Sequence, residues 1–589
     1  MIERALRSPA LAVFWLALLV HLPSLAVGFV YDDHFIIEAD QLLREPHPWN
    51  VFRYNLWDLS TQFHVESPYY RPWSRLMLWC IYQLAGVQPW PYHLANILMH
   101  SLNCALMTRL GVLWFGSTSL ALAGGALFAL HPRHIEVVAW PTVIGDLFCW
   151  FGAMAYLYLG HQGRWKLATL ALLVSMLSKE AGMLVPGLML MAPLLGLPQG
   201  EAPQWRSRLV GSGLSTLVAA SVYFYLRWGV AQVPSASSEG AMPFAERLLQ
   251  GPYIFASLLK LAAWPLGFGF FRGPFPQAQP GHWPWALSLL VGAAFLGTLA
   301  WSFRRRPALA FCLCWWLYLV IPVLGVVAPI PSLVSDRHIY LAVAGWTWAL
   351  ALLVRQRGWL VVLGLVYGWM SWSQIWVWSD EVELWRQSKH TAPYNSAPRQ
   401  SLGAALMQRR RFPEALAEYQ QLIQLGPELN LGYLGAADAL IQMAREDEAE
   451  QLLLQALERK VQPQDSLWFK LGGVYASDRR WQQAVAALEA AVLAAPQNLE
   501  AQLALGNALV QLADFERARQ CYRNVLRDYP RSLSASQNLL LVDYHEALWL
   551  RGQGRKAEAR ALLERLRNRP EVGPELRQRV EAELGATPP

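Results

Sequence analysis

The sequence predicts an all-α protein in two parts. Residues 1–380 read as a polytopic membrane domain of about eleven transmembrane helices, and residues 393–570 as an α-solenoid, with 571–589 as a tail. Three observations carry this. The first part is a series of apolar runs. The 29 Trp are concentrated there, only Trp468, Trp481 and Trp549 lying beyond residue 393, and Trp favours membrane–water boundaries. In the second part Pro393, Pro427, Pro463, Pro496 and Pro530 recur at spacings of 34, 36, 33 and 34 residues. The chain is 54% hydrophobic and 15% charged, against about 25% charged in soluble domains. That excludes a disordered chain and argues against a wholly soluble one.

The spans are expected near 11–29, 92–109, 118–131, 137–159, 166–178, 181–197, 209–228, 285–303, 308–328, 339–354 and 358–377. The first is read as a retained helix rather than a signal peptide, because no small-residue cleavage site follows it. Residues 245–268 are also apolar, but Lys260 interrupts them, and they are read as an interfacial or re-entrant helix. Every second loop is basic: Arg4 and Arg7, Arg109, Arg164 and Lys166, Arg206 and Arg208, Arg304–Arg306, Arg355 and Arg357. The positive-inside rule then sets the N-terminus inside and, after eleven crossings, the solenoid outside.

In the solenoid, a period near 34 with two helices per unit is the tetratricopeptide pattern. Its third unit places Trp468, Leu471, Gly472, Tyr475, Ala484, Ala491 and Pro496 at the signature positions; Gly403, Ala415, Tyr419 and Gly506, Ala518, Tyr522 repeat it before and after. Small residues let paired helices approach and aromatics fill the gap between neighbours. Such an array presents a concave surface to a peptide or protein partner. The net charge is +7, but no long Lys/Arg block suggests nucleic acid, and the six cysteines form no CxxC pair that would hold zinc.

Charges at a membrane edge are costly and mark function by default. The expected outer loops collect Tyr31-Asp32-Asp33-His34, Tyr69-Tyr70-Arg71-Pro72, His131-Pro132-Arg133-His134-Ile135-Glu136, Ser178-Lys179-Glu180 and Ser335-Asp336-Arg337-His338, with Asp146 close by in the fourth span. The pair Asp32 and Asp33 suits a general base, since burial and like charge move carboxylate pKa values apart. Lys179 and Arg337 suit a phosphate, and His131, His134 and Glu136 a polar ligand. Each has a plainer alternative: a helix end for the aspartates, loop caps for the histidines, local ion pairs for Lys179 and Arg337. The HxxH spacing of His131 and His134 has no third ligand, so no metal is expected.

These motifs, in this order, together with Pro91-Tyr92-His93-Leu94-Ala95-Asn96 and the repeats that follow, resemble the transmembrane and tetratricopeptide-repeat O-mannosyltransferases and their bacterial relatives, of the GT-C glycosyltransferase fold. The resemblance implies a polyprenyl-phosphate-linked sugar as donor, a protein hydroxyl as acceptor and an acidic base in the first outer loop, carried onto Asp32 or Asp33 with Asp32 favoured. It implies carrier-phosphate contacts from Arg337 and Lys179, and a donor site lined by His131, His134 and Glu136, with Arg71 set among them. No resident cofactor follows. A bacterial inner membrane with periplasmic repeats fits the expected topology, as does a eukaryotic lumen. Two other readings stand beside this one: a membrane-anchored scaffold whose repeats collect envelope proteins, and a transporter of lipid-linked sugar.

Overall fold

The computed structural model describes residues 8–58, 67–197, 205–233, 243–270, 272–273, 275, 278–325, 334–354, 356–530 and 532–586. Arg4, Arg7 and Arg355 of the expected basic loops, and the last three residues of the expected tail, lie outside these. Among the described residues the secondary structure is helical, with two isolated β-bridges and no strand. The chain divides into two compact units, Met1–Pro398 and Arg399–Pro589.

In the first unit the apolar runs are helices: α1 (Pro9–His21), α2 (Pro72–Ala85), α3 (Pro89–Phe115), α4 (Thr118–Ala129), the short α5 (Ile135–Ala139), α6 (Ile144–His161), α7 (Trp165–Ser178), α8 (Val185–Leu194), α9 (Trp205–Phe224), α10 (Phe244–Ala263), α11 (Trp283–Arg305), α12 (Pro307–Val320), α13 (Ala342–Leu353), α14 (Arg357–Trp378) and α15 (Glu381–Thr391). Proline opens several of them, including α1, α2, α3 and α12, where its missing N–H costs nothing. Among the described residues seven segments are long and apolar enough to cross a bilayer, and four more apolar helices are shorter: Thr118–Ala129, Trp165–Ser178, Glu180–Leu194 and Ala342–Leu353. Together they coincide with the eleven expected runs, but the four fall short of the roughly 20 residues a straight span needs. The chain is a multi-pass membrane protein. Its helices bear this out on their faces: α14 leaves Trp359, Leu365, Trp369, Trp372 and Trp376 exposed, an apolar surface too continuous for water. Inward, Trp315, Trp316 and Trp348 are fully buried.

Two helices were not legible as such. The outer segment between the first two spans contains α2, amphipathic and packed by the buried pair Arg75–Asp40 at 2.6 Å. The stretch after the last span is α15, capped by Asp380, which accepts from the amides of Val382 and Glu383.

The second unit is a tetratricopeptide solenoid. Its helix pairs are α16 (Ser396–Gln408) with α17 (Phe412–Leu425), α18 (Asn430–Gln442) with α19 (Glu446–Glu458), α20 (Gln464–Ser477) with α21 (Trp481–Ala494), α22 (Leu499–Gln511) with α23 (Phe515–Asp528), and α24 (Leu533–Gly552) with α25 (Lys556–Arg567). The expected small-against-large packing is present: a Cβ on Gly403 would lie 2.6 Å from the Tyr419 ring, one on Gly506 2.6 Å from that of Tyr522, and one on Gly472 2.6 Å from Leu488. The turn inside each of the first four pairs uses a left-handed residue that is not glycine: Arg410 (φ 56°), Ala444 (54°), Arg479 (58°) and Ala513 (57°). The segment expected as a tail instead forms α26 (Pro574–Ala586), which buries Val580 against Leu563 and Leu566.

Candidate active site

The loop after α1 carries the acidic pair, and the fold gives its two members different surroundings. Asp33 is fully buried. Its Oδ2 accepts from the Val30 amide and its Oδ1 from the Thr142 amide, both at 3.0 Å. It therefore staples the first loop to the turn that opens α6. Burial pushes its pKa up to about 8, against the two amides. The two amides favour the carboxylate and burial the neutral acid, and burial is the larger influence. Asp32 is half-buried, and no hydrogen bond to its carboxylate is found among the described residues. Burial raises its pKa to about 7, while the nearby Arg337 guanidinium pulls the other way.

Tyr31, the residue before, has φ 52°, a left-handed conformation that costs a non-glycine residue about 1–2 kcal/mol. It is held from two sides. The Tyr31 amide donates to Glu381 Oε1 at 3.1 Å, and its ring packs edge-on against Phe270 and Trp385. Glu381 also accepts from Trp385 Nε1 at 3.3 Å and lies 3.7 Å from His34 Nε2. His34 Nδ1 meets Glu38 at 2.7 Å. The nearby Glu381 carboxylate, with Glu38 beside it, raises the His34 pKa to about 9, despite partial burial. The helix after the last span is thus a wall of this loop.

The second loop, between α4 and α6, supplies Glu136. Its Oε2 accepts from the Asp336 amide at 2.9 Å and its Oε1 from Arg337 Nη1 at 2.7 Å. The Arg337 guanidinium lies over the Trp140 ring, 5.3 Å from its centroid. One fork of Arg337 is therefore used inside the protein. Burial pushes Glu136 toward protonation and Arg337 opposes it. Behind them, Asp336 sits between Arg272 (2.7 Å) and Arg133 (3.0 Å). Burial works against its charge, but those two cations hold its carboxyl below the usual range. Arg133 continues to the Leu266 and Gly267 carbonyls beyond α10.

His131 and His134 stand apart from this arrangement. Both are fully buried. His131 Nε2 meets the Ala262 carbonyl at 3.2 Å, its Nδ1 accepts from the Arg133 amide, and its ring packs on Tyr367. His134 packs between Phe128 (4.4 Å) and Tyr340 (4.5 Å). Burial holds both imidazoles neutral, His131 with a pKa of about 4. Both rings are therefore packed inside the fold, His131 bonded to backbone groups and His134 with neither ring nitrogen hydrogen-bonded among the described residues.

A second charged group lies in the loops flanking α2 and α7. Lys179 Nζ pairs with Asp146 Oδ1, and Arg71 grips Glu180 Oε2 through Nε (3.1 Å) and Nη2 (3.0 Å). Ser74 Oγ donates to the Ser178 carbonyl at 2.8 Å, fixing α2 to that loop. The two groups meet at His338. Burial, then the positive fields of Arg337, Lys179 and Arg71, hold its imidazole well below its ordinary pKa, and its Nδ1 has no hydrogen-bond partner among the described residues. Three cations lie around this neutral imidazole, each keeping about a fifth of its side chain exposed and each paired with one carboxylate, Glu180, Asp146 or Glu136. Among the described residues no group of three metal-ligating side chains is present.

The sequence reading missed the Arg133–Asp336–Arg272 triad, His338 and Glu381. Arg133, Asp336 and His338 sit inside motifs it singled out; Arg272 lies outside them all. Glu381 gave no signal, because nothing in a helix beyond the last span points back to residue 31.

Fold and site together define a class: an all-α, multi-pass membrane protein with a charged centre built from the loops between its spans, followed by a tetratricopeptide solenoid. The chain is similar to the transmembrane and tetratricopeptide-repeat O-mannosyltransferases. It is 38% identical over 125 residues to protein O-mannosyl-transferase tmtc2 of Xenopus laevis, covering 21% of this chain and 15% of that protein. Over longer stretches it is 24% identical to Tmtc3 of Drosophila melanogaster (74% of this chain, 57% of that protein) and 22% identical to human TMTC3 (74% and 53%). The chain thus spans at most little over half the length of these relatives. A family described as the N-terminal domain of the T7SS, ESX-1 secretion system protein EccA1 matches residues 428–582, within the solenoid. Solved structures similar to it include YrrB, a TPR protein with an unusual peptide-binding site (18% identity, 34% of this chain, 99% of that one, TM-score 0.27), and pilF of Pseudomonas aeruginosa (19%, 36%, 89%, 0.27).

Proposed function

We propose that this chain is a glycosyltransferase that moves a sugar, mannose by the likeness of its relatives, from a polyprenyl-phosphate donor to a protein hydroxyl on the outer face of the membrane. The observation that carries the reading is the contrast within the acidic pair. Asp33 spends both oxygens on backbone amides, whereas Asp32, one residue away, has no hydrogen bond to its carboxylate among the described residues and lies near Arg337 with a pKa of about 7. A general base works best when its pKa lies near the operating pH.

In the proposed reaction the acceptor oxygen attacks the anomeric carbon and its proton passes to Asp32. The bond from that carbon to the phosphate oxygen breaks, and its electron pair leaves on the polyprenyl phosphate. Arg337, Lys179 and Arg71 stabilise the charge that develops there, as fixed cations do most effectively away from bulk water. Their carboxylate partners Glu136, Asp146 and Glu180 hold them in place and cancel their charge until the donor arrives. The N-terminus is inside, the repeats are outside and recruit the acceptor, and the compartment is a bacterial periplasm. The alternation of basic loops supports this orientation.

The test is incubation of the purified chain with a panel of polyprenyl-phosphate sugars and a Ser/Thr peptide. Glycosylated peptide and free polyprenyl phosphate are expected in equal amounts. Binding of the peptide with no donor turned over by any member of the panel is the result a scaffold would give.

A further inference from the structure

We propose that the solenoid selects an extended peptide segment by one apolar side chain, seated in a pocket across the first helices of three successive pairs. The inference rests on the reading of the repeats as the acceptor's docking surface. A cavity of about 450 Å³ opens between α18, α20 and α22, with Ile441, Phe469, Val474 and Ala508 among its apolar walls and Asn507 and Gln511 at its rim.

Three observations say what it takes. The first is why the space exists. Gly473 is exposed in the middle of α20, and a Cβ there would meet nothing within 4 Å, whereas its neighbour Gly472 is packed against Leu488. A helix-interior glycine is destabilising. Gly472 is required for helix approach; Gly473 has no such requirement and leaves the pocket open. The second is charge. The two charged residues at the pocket, Lys470 and Asp438, pair with each other at 2.7 Å. A charged side chain entering the apolar walls would find no countercharge to offset its desolvation. The third is a fixed donor. Asn507 is exposed, and its Oδ1 already accepts from the Tyr522 hydroxyl (2.7 Å) and from Asn538 Nδ2 (3.2 Å). Its amide is locked with the N–H₂ turned away from those partners, available to a main-chain carbonyl, and Gln511 follows one turn later. Main-chain hydrogen bonds for affinity and a pocket for one side chain for specificity is how extended peptides are read.

The experiment uses the full chain in nanodiscs and fluorescein-labelled ten-residue Gly/Ser/Thr peptides with one central guest residue, Leu, Phe, Asp or Lys, followed by anisotropy. Leu and Phe peptides are expected to bind at least about tenfold more tightly than Asp and Lys peptides, the scale of burying one apolar side chain. Gly473→Leu, whose Cβ would meet nothing within 4 Å, should occupy the pocket and remove that preference; if that variant misfolds by circular dichroism, Ala504→Leu, at another lining residue, reads the same wall. Asn507→Asp keeps both accepted bonds, loses the donors and adds a charge, and should weaken the two uncharged-guest peptides, Leu and Phe, by a common factor. Equal binding of the four guests, or a preference that survives Gly473→Leu in a folded chain, overturns the proposal. Guest-dependent binding without any sugar transfer counts against the glycosyltransferase reading and leaves the pocket standing.

Discussion

Replacing Asp33 by asparagine tests whether the acidic pair divides into a staple and a base. Asp33 accepts one backbone amide on each oxygen, from Val30 and from Thr142, in a site with no solvent. The asparagine side chain would keep one acceptor and turn an N–H₂ toward the other amide. The loss is one hydrogen bond to a charged group, about 1.5–3 kcal/mol, plus part of the roughly 1–3 kcal/mol cost of a buried unsatisfied donor; removal of an uncompensated buried charge gives some back, leaving about 2–4 kcal/mol. With an unfolding entropy of about 2.1 cal/mol/K per residue, a unit the size of Met1–Pro398 should melt about 2–5 °C lower. Asp32→Asn breaks no bond to a described residue and should melt within about 1 °C of the parent. The assay is thermal unfolding of both variants and parent in one detergent, followed by intrinsic Trp fluorescence. The reasoning is refuted if Asp33→Asn melts with the parent, or if Asp32→Asn is the variant that melts early.

Other outcomes follow from the same contacts. Transfer should rise with pH through about 7 as Asp32 loses its proton, then level off; Arg337→Gln removes the cation that lowers that pKa, so in initial-rate profiles the rising limb should move to higher pH. A stability effect of opposite sense accompanies this: Asp32 and Asp33 have folded pKa values raised above the unfolded ones, so the folded state binds more protons between about pH 4 and 8 and stability falls as pH rises through that window. Glu381→Gln should drop the His34 pKa from about 9 toward its ordinary value, read by NMR titration of labelled histidine, and lower transfer without changing peptide affinity. Ala444→Gly and Ala513→Gly each relieve a left-handed turn and should stabilise the solenoid by about 0.5–1 kcal/mol in denaturant titrations.

The architecture was legible because both its periods are physical necessities. A bilayer forces apolar runs, and stacked helix pairs force small residues such as Gly403 and Gly506 opposite Tyr419 and Tyr522. The site loops were legible because Asp32, Lys179 and Arg337 are costly beside lipid. What each loop residue does was less so. His131 and His134 look like ligands in a string of letters, yet the string carries no sign that α10 and α14 close over one and Phe128 and Tyr340 over the other. The Asp32/Asp33 choice turns on the Thr142 amide, over a hundred residues away. The four left-handed turns of the solenoid were hidden because Arg and Ala occupy positions where glycine would have announced them, and α15 was hidden because its partners, Tyr31 and His34, lie at the opposite end of its unit.

The most direct measurement is polyprenyl phosphate released per peptide glycosylated by the purified chain, in parent and Asp32→Asn preparations matched for melting temperature. The account predicts a one-to-one ratio in the parent and a turnover lower by about 10²–10⁴ in the variant, the usual weight of a general base, with donor affinity retained. Parent-level turnover in a folded Asp32→Asn protein would contradict it.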